Sequence, residues 1–477
     1  MNSSILSGSC PSTNNNITTF PILDQFSLNV QVTHNPLQLP LESLFSMAAR
    51  INKKRSFLFV SKLLGKHIPV NPYTSLLSGA ALAVLLYEHL TEKTEETKVQ
   101  ITEWKREMVE GLIDPQQARQ VYNMLLQESL SLPETIRFVG FAETATALGH
   151  SMYEMFADQA SYIHTTREYV PAMHPDIQFE EEHSHAMAHR CYALDHEAFA
   201  GEGPIVLVDD EITTGKTTLN IIRDIQARYP RKQYVIASLL DWRTEADELR
   251  FAELEAELGI TITPLSLLKG RIEVVGTPQL EPTQQDEQLF HPAVTLQTST
   301  VADDFEQLHA TSEDGEGKRS TASYVQHTGR FGMQSRHNGE LRQEISRIAE
   351  RLRTQRTGER TLVMGTGEFM YIPMRIAAEM GEGVLYQSTT RSPIHTHPAP
   401  GYAVRSGAGY ASPEDASVHN FIYNIAPGQY DEIFVLLERQ MSEERMEPML
   451  KVLGQLGCGH IHIVYCGLPE KTGDNEQ

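Results

Sequence analysis

Two adjacent acids followed by a short run of hydroxyl side chains are the part of this 477-residue chain best suited to chemistry. The run is Val206-Leu207-Val208-Asp209-Asp210-Glu211-Ile212-Thr213-Thr214-Gly215-Lys216-Thr217. Four apolar residues from Ile205 predict a buried strand, and Thr218 to Arg228 predicts an amphipathic helix beyond the turn. In open α/β sheets, ligands bind outside the carboxyl ends of strands, where this order puts the acids and the turn. Thr213, Thr214, Gly215, Lys216 and Thr217 suit a phosphate. Glycine lets the backbone come close, hydroxyls and amides donate, and a helix N-terminus favours an anion. Asp209 and Asp210 can accept from two neighbouring sugar hydroxyls or hold a hydrated magnesium ion. Phosphate at one end and a diol at the other describe a ribose 5-phosphate.

A nucleotide P-loop also ends in Gly-Lys-Thr, but it needs a glycine five residues before that glycine, and position 210 is Asp. A carboxylate aimed at a triphosphate would repel it. The motif instead resembles the diphosphoribose-binding signature of type I phosphoribosyltransferases: two acids, two variable residues, then a Thr/Gly phosphate loop.

Other segments must position this turn. Phe57 to Val60 predicts a strand followed by Ser61, Lys62, Gly65, Lys66 and His67, cations able to neutralise pyrophosphate; solvated surface lysines are the competing reading. Asp114-Pro115-Gln116-Gln117 predicts a helix start, with a cap, a first-turn proline and a capping-box glutamine. Ile136 to Gly149 again predicts a strand entering a helix through small residues, the setting of a pyrophosphate loop. Glu143 stands where many phosphoribosyltransferases present a basic residue, which leaves backbone amides with Thr144 or Thr146 as donors, and magnesium bridging to Glu143. Arg167 ends a short strand after Tyr162-Ile163-His164-Thr165-Thr166, and its fork suits a phosphate.

Glu168 to Ala200 is a long polar stretch of the kind that forms lids. Type I phosphoribosyltransferases carry a catalytic flap at this place, with His183 or His185 here as proton carriers. Zinc binding by His183, His185 and His189 is the alternative, without a cysteine or acid to complete the set. Tyr234 to Leu240 predicts a strand ending at Asp241-Trp242-Arg243. Trp242 would stack on an acceptor base while Asp241 or Arg243 reads its edge; a core tryptophan is the bland alternative.

The chain is too long for one core and predicts two or three domains. Its formal charge of −22 argues against nonspecific nucleic-acid or anionic-membrane binding. Cys10, Cys191, Cys458 and Cys466 lack metal-ligand spacing and predict no disulfide framework, consistent with a cytoplasmic protein. The longest apolar stretch, Leu76 to Tyr87, is too short to span a bilayer and reads as a buried helix. No secretory signal is visible in the first thirty residues.

A second region echoes the first. Gly365 to Glu368 repeats the Gly-x-x-Glu of Gly140 to Glu143, each after an apolar strand. Tyr386-x-x-Thr389-Thr390-Arg391 repeats Tyr162-x-x-Thr165-Thr166-Arg167. The strand Glu432 to Leu437 lies where the acid motif should fall, yet it ends in Glu438-Arg439-Gln440 with no Thr-Gly turn. These matches predict an internal duplication whose second copy has lost its ribose-phosphate site.

Together the segments resemble a bacterial family with an orotate-phosphoribosyltransferase-like domain and a C-terminal TRSP domain, named for the tetrapeptide found here as Thr390-Arg391-Ser392-Pro393. The resemblance implies an α/β type I phosphoribosyltransferase fold plus a second α/β domain. It implies transfer of ribose 5-phosphate from phosphoribosyl pyrophosphate (PRPP), with Mg2+, to a small base-like acceptor, and a tellurium-resistance or stress setting. A PRPP-sensing module without turnover is the alternative. The expected organisation is a flexible tail (1–30), a phosphoribosyltransferase domain (31–270), a linker or excursion (271–323), a TRSP domain (324–470) and a C-terminal tail (471–477). A homodimer or an intrachain pseudo-dimer is expected, with no nucleic acid or membrane partner.

Overall fold

The computed structural model describes residues 17–51, 55–91, 94–180, 188–195, 197–278, 280 and 294–470. Its larger sheet runs in the order Ile17–Leu23, Phe26–His34, Thr261–Gly276, Gln233–Asp241, Ile205–Ile212, Ile136–Gly140, Ala160–His164 and Met333–Gln334. The five strands between Thr261–Gly276 and Ala160–His164 are parallel, and the flanking pairs are antiparallel. The central strands are near-continuous apolar runs, such as Tyr234 to Leu240, because helices cover a parallel sheet on both faces. The apolar Leu76 to Tyr87 segment lies in the Pro72–Leu90 helix, whose Asn71 cap accepts from Tyr73 N at 2.9 Å. Asp114 caps the Pro115–Glu128 helix in the same way, accepting from Gln116 N at 3.0 Å. Among the described residues, no helix is long and apolar enough to cross a membrane.

Two boundaries read in the sequence differ from the structure. Residues 17–30 are not a tail: Phe26, Leu28 and Val30 alternate inward in an edge hairpin. The 271–323 linker also holds sheet structure. The strand from Thr261 continues to Gly276, and Thr295–Thr300 forms the edge of the second sheet. The polar, threonine-rich Thr295–Thr300 hides its strand because an edge strand buries little apolar surface.

The second sheet has the order Thr295–Thr300, His460–Tyr465, Glu432–Leu437, Thr361–Gly365 and Val384–Ser388, all parallel. It repeats the five parallel strands of the first in detail. Thr165 N donates to Gly140 O at 2.9 Å, and Thr389 N donates to Gly365 O at 3.1 Å. Tyr162 Oη donates to Thr146 O at 2.5 Å, and Tyr386 Oη to Met370 O at 3.0 Å. A hairpin follows each Thr-Thr-Arg: Thr166 bridges Arg190, and Thr390 bridges Phe421. Arg167 and Arg391 therefore stand at equivalent strand ends.

The halves also exchange edges. The segment around Gly65 to Val70 pairs with Tyr386 and Ser388 of the second half, while Gly329 to Gln334 pairs with Ser161 to His164 of the first. A Cβ on Gly65 would meet the Tyr386 ring at 2.7 Å, and one on Gly329 the Tyr162 ring at 2.3 Å. Between the halves Glu154 accepts from Tyr122 Oη at 2.7 Å, from Arg375 Nη1 at 2.7 Å and from Tyr371 Oη.

His150 stacks on Tyr371 with ring centroids 3.5 Å apart. Burial pushes its pKa down to about 3 and that of His164 to about 4. Both are held neutral, so the unfolded chain takes up their protons first as the pH falls below its ordinary histidine value. Their stabilisation is complete above that value and is lost toward pH 4, at about 1.4 kcal/mol per pH unit for each histidine. Urea unfolding at pH 7 and pH 5 should show this loss; equal stability at the two values would contradict it.

Candidate functional site

The strand Ile205–Ile212 carries the acid pair out of the core because Val206, Leu207 and Val208 are buried while Asp209 and Asp210 are half exposed. Asp210 N donates to Asp209 Oδ1 at 2.9 Å, which fixes the first carboxylate. Burial and the neighbouring Asp210 carboxylate push the Asp209 pKa well up. Glu211 is held by Arg55 and is not part of that open pair.

The chain then turns at Gly215, with φ of +69°, into the Lys216–Arg228 helix. A Cβ at this position would lie 2.5 Å from the Phe251 ring and 3.5 Å from Arg243. Arg243 is fixed in turn by Asp241, which accepts from Nε at 2.9 Å and Nη2 at 2.7 Å, and it lies over the Phe251 ring at 4.5 Å. The hydroxyl turn thus rests on an Arg-Phe floor. Gly215→Ala should cost about 1–3 kcal/mol through backbone strain alone, checked by urea unfolding, with unchanged stability contradicting the tight turn.

The neighbouring strand Ile136–Gly140 brings a second loop alongside, since Gly140 lies opposite Val208 and Phe141 N donates to Val208 O at 3.0 Å. In that loop Lys66 Nζ donates to Thr144 Oγ1, and Arg167 Nη2 donates to Ala142 O at 3.4 Å. Arg167 Nη1 is 3.8 Å from Glu143 Oε2. Lys66, Thr144, Glu143 and Arg167 are thereby gathered one strand away from Asp209 and Asp210. Among the described residues no group of three or more His, Cys, Asp or Glu could hold a metal ion. The donor set is two adjacent carboxylates, which fits a cation shared with a bound ligand rather than one caged by protein alone.

Residues 44–271 match the model described as phosphoribosyl transferase, and residues 327–453 match the TRSP domain found C-terminal to it. The chain joins a phosphoribosyltransferase-family domain to a TRSP domain. Its solved structural neighbours include adenine phosphoribosyltransferase from Trypanosoma brucei, at 16% identity and a TM-score of 0.23 over 32% of this chain and 65% of that one. Adenine phosphoribosyltransferase from Rhodothermus marinus matches at 15% and 0.21, over 33% of this chain and 81% of that one. Orotate phosphoribosyltransferase from Aeropyrum pernix matches at 17% and 0.18, over 32% and 72%. The match spans just under two thirds of the trypanosomal enzyme's length. No curated protein sequence matches the chain.

Several residues expected at the phosphoribosyltransferase site lie elsewhere. Trp242 is not an acceptor platform. It is 3% exposed, stacks on Phe59 at 4.7 Å and meets Phe45 edge-on at 6.1 Å. Asp241 is 1% exposed and spent on Arg243. Trp242→Ala should cost about 3–5 kcal/mol, the ordinary loss for a large core aromatic, measured by urea unfolding, and a change under 1 kcal/mol would contradict core packing. Lys62 donates to Glu42 O at 2.7 Å and does not join Lys66 at Thr144. His183 and His185 lie outside the described residues. His189 is buried, with Nδ1 3.1 Å from Thr165 Oγ1 and its ring stacked on Phe179, so it is no surface zinc ligand.

The TRSP turn is built against the first half. Arg50 Nη2 donates to Ser392 Oγ at 3.0 Å, and Arg391 N points to Glu143 Oε2 at 3.5 Å. Thr390 Oγ1 accepts from Ser392 N at 3.1 Å and closes the turn before Pro393. In the reciprocal place, Glu368 accepts from Thr166 Oγ1 at 2.6 Å and Arg167 N at 2.9 Å. Burial alone would raise the Glu368 carboxyl, but Arg330 and its other partners hold it at about 2. Sequence reading missed Arg50 and Arg330 because each acts on a residue more than thirty positions away.

The counterpart of the acid pair is closed. Met364 lies opposite Val435, so Gly365 falls opposite Leu436 as Gly140 does opposite Val208, and two residues further on Glu438 stands where the first half has Asp210. Glu438 accepts from Arg330 Nη2 at 2.8 Å, and Arg330 also binds Glu368 at 2.5 Å and Glu168 at 3.3 Å. All four side chains are largely buried, so an ion-pair cluster fills the place of a ligand.

Proposed function

We propose that the protein transfers ribose 5-phosphate from PRPP to a base-like acceptor and releases pyrophosphate, at one site in its first half. The observation that carries this reading is the open Asp209–Asp210 pair beside a glycine-bent hydroxyl turn, one strand from the Lys66–Thr144–Arg167 loop. Asp209 and Asp210 would accept from the ribose hydroxyls and stabilise the positive charge that develops on the ribose as the glycosidic bond lengthens. Thr213, Thr214, Gly215, Lys216 and Thr217 would hold the 5-phosphate at the helix N-terminus, away from the reacting carbon. Lys66, Arg167 and Thr144 would take the departing pyrophosphate. The gain is chiefly positional: donor and acceptor are held in line.

Mg2+ bound with PRPP would be held by Asp209 and Asp210 through water or ribose hydroxyls and would neutralise pyrophosphate oxygens. Incubation with Mg2+, PRPP and a panel of purine and pyrimidine bases tests the reading. Pyrophosphate release that depends on one of these bases is expected.

A second reading is favoured by Glu143, whose carboxylate sits in the loop where pyrophosphate would dock. A protein that binds PRPP with no release for any acceptor would be a PRPP sensor, not a transferase.

A further inference from the structure

A cavity of about 720 Å3 lies between the halves, apart from the Asp209–Thr217 turn. Arg167, Tyr169 and Arg190 enter it from the first half, and Arg391, His419 and Phe421 from the second. Its acids are mostly spoken for. Glu168 pairs with Arg439 at 3.0 Å and Asp314 with Arg445 at 2.5 Å, while Glu313 pairs with Arg319 at 3.1 Å. Asp415 accepts from Gly315 N at 3.2 Å, from Ser417 N at 3.0 Å and from Ser417 Oγ at 2.6 Å. Burial, then the Glu168 carboxylate, raises Glu414 to about 7 and so thins the remaining negative charge.

Arg391 and Arg190 are less well satisfied. The Arg391 guanidinium is half-buried and makes no hydrogen bond or ion pair among the described residues. Among the described residues Arg190 Nη1 reaches only the carbonyls of Arg167 and Ala188, each at 3.4 Å, and the guanidinium lies over the Tyr169 ring at 5.3 Å. A half-buried guanidinium whose donors are not all taken is a good site for a carboxylate or phosphate. Tyr169 and Phe421 supply flat apolar surface in the same wall.

PRPP itself does not suit the cavity. Arg439 borders it one residue after Glu438, so the cavity adjoins the second half's closed counterpart of the acid turn. No Thr-Gly turn follows, and Glu443 and Glu444 in the first turn of the next helix would repel a 5-phosphate.

We propose that this cavity binds a flat ring bearing an oxyanion, a nucleoside monophosphate or a ring carboxylate, with the anion on Arg391 and Arg190 and the ring against Tyr169 and Phe421. This site stands independently of turnover at the first. Uridine 5′-monophosphate, orotate and uridine are titrated calorimetrically into the full chain carrying Asp209→Asn and Asp210→Asn, which removes the ribose-binding acids. Uridine monophosphate or orotate should bind, and whichever binds identifies phosphate or carboxylate as the anion; uridine should bind at least about tenfold more weakly. Adding R391Q and R190Q should weaken the bound anion at least about tenfold. R391Q and R190Q in the otherwise unsubstituted chain should leave PRPP affinity within about twofold, which also shows that the variant folds. Absence of binding by both anions overturns the proposal, as does binding that disappears with the aspartates and ignores the arginines. Failure of the unsubstituted chain to bind PRPP would count against the transferase reading alone.

Discussion

Asp209→Asn combined with Asp210→Asn should lower the affinity for PRPP at least about a hundredfold, since each charged hydrogen bond to a sugar hydroxyl is worth roughly 1.5–3 kcal/mol. The same variant should be no less stable than the parent. Burial and mutual repulsion raise the Asp209 pKa, so its charged form is disfavoured in the fold. A carboxyl with a raised folded pKa opposes folding once the pH exceeds its unfolded value, and that penalty grows until the pH reaches the folded pKa. Removing both charges relieves the penalty. Loss of binding with equal or higher melting temperature is therefore the pattern expected of a functional acid pair. Loss of binding with a lower melting temperature would mean that the pair is structural. Calorimetric titration and thermal unfolding on the same samples separate the two.

A stability effect as large as that of Trp242→Ala should come from the buried contact between the halves, at Glu154. Burial would by itself raise this carboxyl, but Arg375, Tyr371 and Tyr122 bring it below the usual range. Arg375 is itself 4% exposed and donates to Glu154 Oε1 at 2.7 Å and Oε2 at 2.8 Å. Glu154→Leu leaves that guanidinium with only Glu379, at 3.0 Å, as a charged partner among the described residues, and breaking a buried pair in this way typically costs about 3–5 kcal/mol. Arg375→Met added to it should recover part of the loss, because the under-compensated buried charge goes with it and the partly exposed Glu379 is left to solvent. Urea unfolding of the single and double variants measures this. A double variant less stable than Glu154→Leu alone would contradict the stranded-charge explanation. The sign with pH is fixed: the contribution of Glu154 is present above the unfolded carboxyl pKa and is lost as pH falls.

Much of the fold was readable in short-range pattern. The apolar run Val206 to Val208, the Asp114-Pro115 helix start and the buried stretch from Leu76 needed only neighbours in sequence to be recognised. The paired Gly-x-x-Glu and Tyr-x-x-Thr-Thr-Arg segments gave equivalent strand ends, because each fixes its own strand-loop-strand hydrogen bonds. The sequence could not show what the second half does to the first. That Gly65 lies under Tyr386 and Gly329 under Tyr162 depends on an exchange across about 320 and 165 residues of chain, and no periodicity records it. Trp242 illustrates the same limit in the site. A tryptophan after a strand end reads equally well as a base platform or as core, and only Phe45 and Phe59, nearly 200 positions away, decide for core. Thr295 to Thr300 was hidden for another reason: a half-solvated edge strand carries little apolar pattern.

The two parallel sheets carry one open acid turn and one closed by Arg330, Glu368 and Glu438. The most direct measurement is the stoichiometry of PRPP binding to the full chain in Mg2+, by calorimetric titration. One PRPP per chain is expected, abolished by the Asp209 and Asp210 substitutions. Two per chain would contradict closure of the second turn, and none would contradict the ribose-phosphate site itself.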